Sequence, residues 1–389
     1  MEIISIYIYD EDPFFAEALG NRIACLYRGF SVTLGKDLSI IRNPEQAAKY
    51  DFILAGLTED REVSRGELGR TAGAVSEKII LMSENPASGG LSGKEKSIYK
   101  YRGTSELVSD LRYLYAENKG GAMLTAEPEN TVHVACCGTR GGAGVTSVAI
   151  ATGRELARHH GKRCLYLCFD EVESDIYCLP KADNPRNIGD YLFQTFKGRR
   201  RESMAFFESF MAVDSYSLER FYPSPGRNDL AELDESELSC FFQSIWNSSR
   251  YDYIILDIGG GQASLRRTAI AFSDVLVMVN AECGADTGKA DKTAALIEEM
   301  WAQNGKRTGI IRIKNMTGYE EEWDETDVAD TRRAGLRPGA DSGKEPAAAD
   351  IIEIGFDAKS FQGSGGRPEI SMSNVFGTGI MELAERLLG

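Results

Sequence analysis

Two series of short apolar runs, separated by stretches long enough for helices, organise the chain. In the first, Ile3–Tyr9 is β-branched and aromatic and reads as a strand. The acidic triplet Asp10-Glu11-Asp12 ends it, and Pro13 opens a helix whose apolar face carries Phe14, Ala18 and Leu19. Phe52–Leu54 and Ile79–Met82 are further strands, and Ser105–Tyr115 has helical spacing. The second series starts at Thr131, with strands expected at Val132–Cys137, Cys164–Phe169, Tyr253–Asp257, Val275–Val279 and Gly309–Ile313. Runs this continuous belong to strands covered on both faces, as in a parallel sheet joined by crossover helices. Gly377–Leu388 reads as a closing helix rather than an added membrane anchor.

Between the series, Gly120, Gly121 and the polar residues through Asn130 mark a linker. Beyond Thr317 the apolar rhythm stops. Seven acidic residues from Glu320 to Asp330 precede the first basic one, Arg332, and Gly, Pro and Ala follow. The expected organisation is α/β throughout: an N-terminal doubly wound domain over 1–118, a linker over 119–130, and a C-terminal parallel-sheet domain over 131–389. A flexible acidic insertion is expected at 317–349.

At 389 residues the chain is long for one domain, and a hydrophobic content of 42% allows a substantial core. The formal net charge of −15 speaks against bulk nucleic-acid binding, which needs Lys and Arg to neutralise phosphates. The tight basic cluster Arg199-Arg200-Arg201 reads first as a solvated helix end. Eight cysteines fall within apolar segments, with Cys136, Cys137, Cys164 and Cys168 in expected strands, where a free thiol behaves as a small hydrophobe. No C-x-x-C pair occurs and there are three His, so neither a structural zinc site nor a redox motif is expected. No basic segment leads into an apolar stretch at the N-terminus, and no apolar run approaches the roughly 20 residues of a spanning helix. A cytoplasmic chain is expected, with membrane association only indirect.

The candidate chemistry lies in Arg140 to Ser147, R-G-G-A-G-V-T-S, between an expected strand and an expected helix over Val148–His160. Strand, glycine-rich turn and helix form the setting of a phosphate-binding loop: Gly141, Gly142, Ala143 and Gly144 let backbone amides converge on phosphate oxygens, and the helix N-terminus adds positive potential. The lysine that ordinarily reaches the outer phosphates is Val145. The plainer reading of such a turn is close packing of strand on helix.

The double glycine preceded by a basic residue resembles the deviant Walker A motif of the MinD/ParA ATPases, K-G-G-x-G-K-[ST]-[ST]. Arg140 takes the first-lysine position, Val145 replaces the second lysine, and Thr146 and Ser147 match the hydroxyl pair. In that family the first lysine reaches the partner's phosphates across a nucleotide-sandwiched dimer, which assigns Arg140 as a dimer-bridging cation. Leu165 to Asp170 resembles the family's second strand, ending D-x-D; the first Asp is Cys168 here and Asp170 survives, where the resemblance implies water positioning. Tyr251 to Asp257, Y-D-Y-I-I-L-D, resembles the Walker B strand, so Asp257 and Thr146 are expected to hold Mg2+, the carboxylate through water. Asn315 falls where the family places a base-reading Asn. Taken alone, an Asp ending a strand is more often a helix cap or surface charge.

The N-terminal domain resembles a response-regulator receiver: Asp10, Glu11 and Asp12 match its acidic cluster, Ser83 its hydroxyl and Lys100 its lysine. Gly56 stands where the phospho-acceptor Asp belongs, which makes the domain a contact module. The triplet reads equally as a polar loop and as a residual Mg2+ site. A degenerate receiver followed by a degenerate MinD/ParA-type ATPase domain, with Asn187–Leu192 and Phe221–Pro225 also similar, is the layout of the TadZ/CpaE family, a branch of the MinD/ParA superfamily. The resemblance implies a homodimeric pilus-assembly factor of the tight-adherence type at a cell pole or focus, binding ATP and Mg2+ and recruiting the secretion ATPase and other apparatus proteins. Without the lysine, hydrolysis is expected to be slow or absent. An active partition or septum-positioning ATPase and a nucleotide-free adaptor remain the alternatives.

Overall fold

The computed structural model describes residues 3–27, 29–57, 73–86, 91, 96–119, 131–173, 179, 182, 185–198, 204–246, 251–259, 263–281, 287–303, 309–317, 351–361, 370–372 and 374–389. The acidic stretch 318–349, the Arg199–Arg201 cluster and residues 120–130 of the expected linker lie outside them. The chain divides into two compact units. One comprises Met1–Pro128, Leu179–Pro225 and Ser244–Ser249; the other comprises Glu129–Cys178, Gly226–Gln243 and Arg250–Gly389.

The first unit holds five parallel strands, β1 (Ile4–Asp10), β2 (Phe30–Leu34), β3 (Phe52–Gly56), β4 (Ile79–Ser83) and β5 (Lys96–Tyr99), in the order 2-1-3-4-5. Period-2 alternation along β1 feeds two cores. Ile4, Ile6 and Ile8 pack with Ile23, Leu54 and Leu111 on one face, while Tyr7 packs with Ile40, Ile53 and Ile79 on the other. Helix α1 (Pro13–Leu26) starts as expected, with Pro13 in its first turn and the Asp12 carboxylate accepting from the amides of Phe14 and Phe15. In this strand order ligand sites form at the carboxyl ends of β1 and β3, where the winding reverses. There Asp10 is paired with Gly56 and buried, and Lys100 Nζ lies 2.9 Å from Asp10 Oδ1. A Cβ on Gly56 would lie 1.8 Å from Asp10 Oδ2, so Asp10 itself occupies the space a side chain at 56 would need. Burial opposes the Lys100 charge, but the Asp10 carboxylate outweighs it and holds the ammonium above its ordinary range.

Residues from 179–225 belong to this unit although Glu129–Cys178 of the second unit precede them in sequence. They pack against helix α2 (Thr104–Lys119). Arg186 Nη1 donates to Asp110 Oδ1 at 2.7 Å and to Ser109 Oγ at 3.0 Å, with its guanidinium over the Tyr113 ring. Ser109 Oγ donates to the Ser209 carbonyl, and Tyr222 OH donates to Ser105 Oγ. Arg112 Nε sits 3.3 Å from Glu208 Oε2, both side chains almost fully enclosed. A short antiparallel pair, Met211–Val213 with Glu219–Phe221, completes the segment.

The second unit contains six parallel strands: β6 (Val132–Gly138), β7 (Cys164–Cys168), β8 (Tyr253–Ile258), β9 (Val275–Ala281), β10 (Gly309–Thr317) and β11 (Ile351–Gly355). Their order is 11-10-9-6-8-7. The central strands are buried along nearly their whole length, as the continuous apolar runs required, and the four strand cysteines are buried free thiols. Helices α3 (Val145–Arg158), α4 (Glu235–Trp246), α5 (Ala263–Phe272), α6 (Thr287–Gln303) and α7 (Val375–Leu388) accompany them. Helix α3 starts at Val145, three residues earlier than its apolar pattern suggested, because Gly144 caps it directly at the end of the loop. Strand β11 escaped the sequence reading because it follows the acidic stretch and is only five residues long.

Removing one member of the Arg112–Glu208 pair leaves an enclosed charge without its partner, at a cost of about 3–5 kcal/mol. Glu208→Ala is therefore expected to lower the thermal midpoint of the full chain by several degrees, whereas Glu232→Ala, on an exposed pair with Arg227, changes it little. Equal midpoints for the two variants in a thermal scan would disprove the assignment.

Candidate functional site

The glycine-rich loop leaves β6 at Gly138 and ends on the first residue of α3. Gly142 and Gly144 have φ of +77° and +84°, the left-handed region in which a Cβ is strained. Gly144 also needs its missing Cβ for space, since one there would lie 2.3 Å from Asn315 Nδ2. Gly141 and Gly142 differ: a Cβ at either would meet nothing within 4 Å. The left-handed backbone accounts for Gly142, but neither packing nor φ accounts for Gly141, where an approaching ligand would. No side chain caps the N-terminus of α3, whose first turn therefore presents the positive end of the helix to an anion. Ala143 is buried beneath the loop.

Val145 points inward and is buried, close enough that a Cβ on Gly138 would lie 2.8 Å from its Cγ2. An aliphatic group thus fills the space between Gly138 and Gly259 at the start of the helix. Arg140 is exposed on the loop. Two other cations reach the loop's entry without any motif to announce them: Arg266 Nη2 donates to the Gly138 carbonyl at 2.9 Å, and Lys289 Nζ donates to the Thr139 carbonyl. Both come from helices that sequence alone marks only as crossovers.

Asp257, near the end of β8, is aligned in register with Cys136 on β6 and with Cys168 on β7. Parallel neighbours in register present their side chains to the same face, so the carboxylate lies between two thiols. It has no exposed surface. Tyr166 OH donates to Oδ2 at 2.7 Å, while Oδ1 is buried without a hydrogen bond of good geometry. Burial pushes the Asp257 pKa up to about 6; the Tyr166 phenol opposes this, the Asp170 charge adds to it, and the nearby Thr146 hydroxyl and Gly259 amide only partly offset it. Burial, and then the Asp257 charge, hold the Cys136 thiol well above its ordinary range.

Asp170 follows β7 and shares this space. A Cβ on Gly259 would lie 3.5 Å from Asp257 Oδ1, 3.6 Å from Asp170 Oδ1 and 3.7 Å from Val145 Cβ, so both carboxylates and the loop face one gap. Asn228 braces the strand end: its Nδ2 donates to the carbonyls of Cys168 and Asp170 at 2.8 and 3.0 Å, and its own amide donates to the Glu171 carbonyl. Nothing in the sequence flags Asn228, because its partners lie about 60 residues upstream. Tyr166 carried a signal, since it precedes Cys168 by two residues on one strand and must share its face. Asn315 is buried beside the loop, and its Nδ2 donates to the Ala143 carbonyl at 2.8 Å.

About two thirds of the chain is similar to each of several solved structures. A ParA family ATPase from Chlorobium tepidum TLS is 16% identical, the likeness covering 65% of this chain and 98% of that one with a TM-score of 0.46. The MinD cell division protein of Aquifex aeolicus is 19% identical over 67% and 98% of the two chains, with a TM-score of 0.44. Cobyrinic acid a,c-diamide synthase from Mycobacterium smegmatis, with bound ADP and magnesium, is 13% identical over 66% and 94%, with a TM-score of 0.40. No family model and no curated protein matches the sequence.

The raised Asp257 pKa has a definite sign in stability. The folded chain keeps this proton up to about pH 6, while an unfolded Asp releases it near 3.8, so stability falls as pH rises from about 4 to about 6. The difference of about two units corresponds to about 3 kcal/mol. Asp257→Asn is thus expected to raise the melting temperature of chelator-treated, nucleotide-free protein at pH 7.5, with the advantage vanishing near pH 4. A less stable variant at pH 7.5 would contradict this account.

Proposed function

We propose that the chain is a nucleotide-responsive positioning and scaffold factor that binds ATP with Mg2+ and turns it over slowly or not at all. The observation that carries this reading is an uncapped helix N-terminus, entered through two glycines that packing does not require, beside a buried carboxylate with one unsatisfied oxygen. The residues present fit the ligand. Gly141 to Ser147 would offer backbone donors to the phosphates, and Thr146 with Asp257 would hold magnesium, the latter through water. The metal would supply positive charge at the outer phosphates.

Val145 limits the chemistry. Phosphoryl transfer depends on cations that meet charge spreading over the equatorial oxygens, and a missing donor at such a site costs about 100- to 1000-fold in rate. Arg140, exposed on the loop, is the group assigned to bridge to a second copy, and Asp170 the one to orient water if turnover occurs. Asn315 is the candidate contact to the base through its Oδ1, because its Nδ2 is engaged by the loop.

The biological setting follows from the family resemblance of the sequence. The first unit acts as a receiver-like contact module in which Asp10 and Lys100 form an internal pair over Gly56, leaving no acceptor for a phosphoryl group. The chain then serves tight-adherence pilus assembly as a homodimer at a pole or membrane-proximal focus, recruiting the secretion ATPase. Among the described residues no helix is long and apolar enough to cross a membrane, so contact with the membrane would be through partners.

Isothermal titration of the full chain with ATP and Mg2+ is expected to show one site per chain, and no heat at millimolar nucleotide would overturn the reading. Restoring the ammonium with Val145→Lys is expected to raise phosphate release about 100-fold. Unchanged turnover in a variant that still binds ATP would show that the valine is not what limits hydrolysis.

A further inference from the structure

The two carboxylates at the head of the sheet do not stand alone. Cys168 Sγ, one Asp170 oxygen and one Asp257 oxygen all lie within 4.8 Å of one another. The thiol and the Asp257 carboxylate come from register-paired positions of adjacent strands, so the backbone ladder fixes their spacing. Asp257 Oδ1 is buried without a hydrogen bond of good geometry, and it converges with Asp170 Oδ1 on the gap that Gly259 leaves open. Tyr166 holds the other Asp257 oxygen at 2.7 Å, the outer hydrogen bond that orients a ligating carboxylate. Asn228 fixes the backbone carbonyls of both Cys168 and Asp170.

We propose that Cys168, Asp170 and Asp257 form a three-ligand site for a thiophilic divalent cation, zinc in particular, that needs no nucleotide. Tetrahedral zinc takes sulfur at about 2.3 Å and carboxylate oxygen at about 2.0–2.2 Å, which brings its ligand atoms within about 4 Å of one another. The existing cluster reaches that geometry with small side-chain movements. A thiolate shifts preference away from magnesium, a hard cation that favours an all-oxygen shell, toward zinc and its chemical relatives. Two carboxylates and one thiolate would carry three negative charges, and the Cys168 proton would leave to solvent as the metal binds. Three protein ligands leave a fourth position open on the side of the glycine-rich loop. The site shares Asp257 with the magnesium reading above, so zinc and the magnesium–nucleotide pair compete for one carboxylate.

The test uses the full chain, stripped with chelator and free of nucleotide, titrated with Co2+ as an optical stand-in for zinc. One equivalent is expected to produce a thiolate-to-cobalt charge-transfer band, which Zn2+ bleaches and excess Mg2+ does not. Cys168→Ser is expected to abolish the band, while Asp170→Asn, altered outside the strand, keeps it; each weakens Zn2+ binding at least about 10-fold, the loss that even an outer partner of a ligand produces. Cys136→Ser, on the opposite side of Asp257, keeps both. The proposal fails if the wild-type chain shows no such band, or if the band survives Cys168→Ser and so arises from another thiol such as the exposed Cys25 or Cys240. A cobalt band in a chain that gives no heat with ATP and Mg2+ would sink the nucleotide reading and leave this one standing, and the converse also holds.

Discussion

A carboxylate with no exposed surface, held between two cysteine-bearing strands, is the constraint around which the second unit is organised. Asp257 is costly to ionise where it sits, and the chain meets that cost only in part. One oxygen has a phenol, and the other faces a gap bounded by Asp170, Val145 and Gly259. Buried polar atoms left incomplete are uncommon in folded proteins and point to a ligand, a switch or stored strain. Here the gap opens beside the uncapped start of α3, so the same short distance joins a cation-seeking atom to anion-seeking amides. A charged pair of ligands, a cation and an anion, would satisfy both at once.

Much of this was legible in the residues. Val132–Gly138, Cys164–Cys168 and Tyr253–Ile258 are central strands buried on both faces, and such strands announce themselves by unbroken apolar runs. The loop was legible because glycine spacing is a backbone requirement rather than a packing accident. What stayed hidden depends on distance in sequence. Asn228, Arg266 and Lys289 act on backbone carbonyls of Cys168, Gly138 and Thr139, and no local pattern records such a pairing. The attachment of residues from 179–225 to α2 is hidden for the same reason, since Arg186, Glu208 and Tyr222 look like ordinary surface residues until Asp110, Arg112 and Ser105 are set beside them. Strand β2 carries a mixed burial pattern at the sheet edge and gives a correspondingly weak signal.

The two units handle a buried acid in opposite ways. In the first, Asp10 is neutralised by an ammonium from its own chain, and the neighbouring strand supplies a glycine so that the carboxylate has room. In the second, among the described residues no lysine or arginine makes an ion pair with Asp257, and the loop residue that borders the same gap, Val145, is aliphatic. An acid with a built-in counter-ion is closed to further cations by charge as well as by space. One without it holds its proton more readily, as burial makes Asp257 do.

The Asn228 amide donates to the Glu171 carbonyl over 2.9 Å, so the two ends of a detour of more than fifty residues are tied to each other. Closing a longer detour adds little entropy, since each doubling of length costs only about 0.6 kcal/mol. Exposed turns between those two residues can therefore lengthen at small cost, whereas Arg186, Glu208 and Tyr222, each bonded to α2, are held in place. Variation is then free to accumulate at those turns, and the acid and thiol at the root of the detour need not move with it.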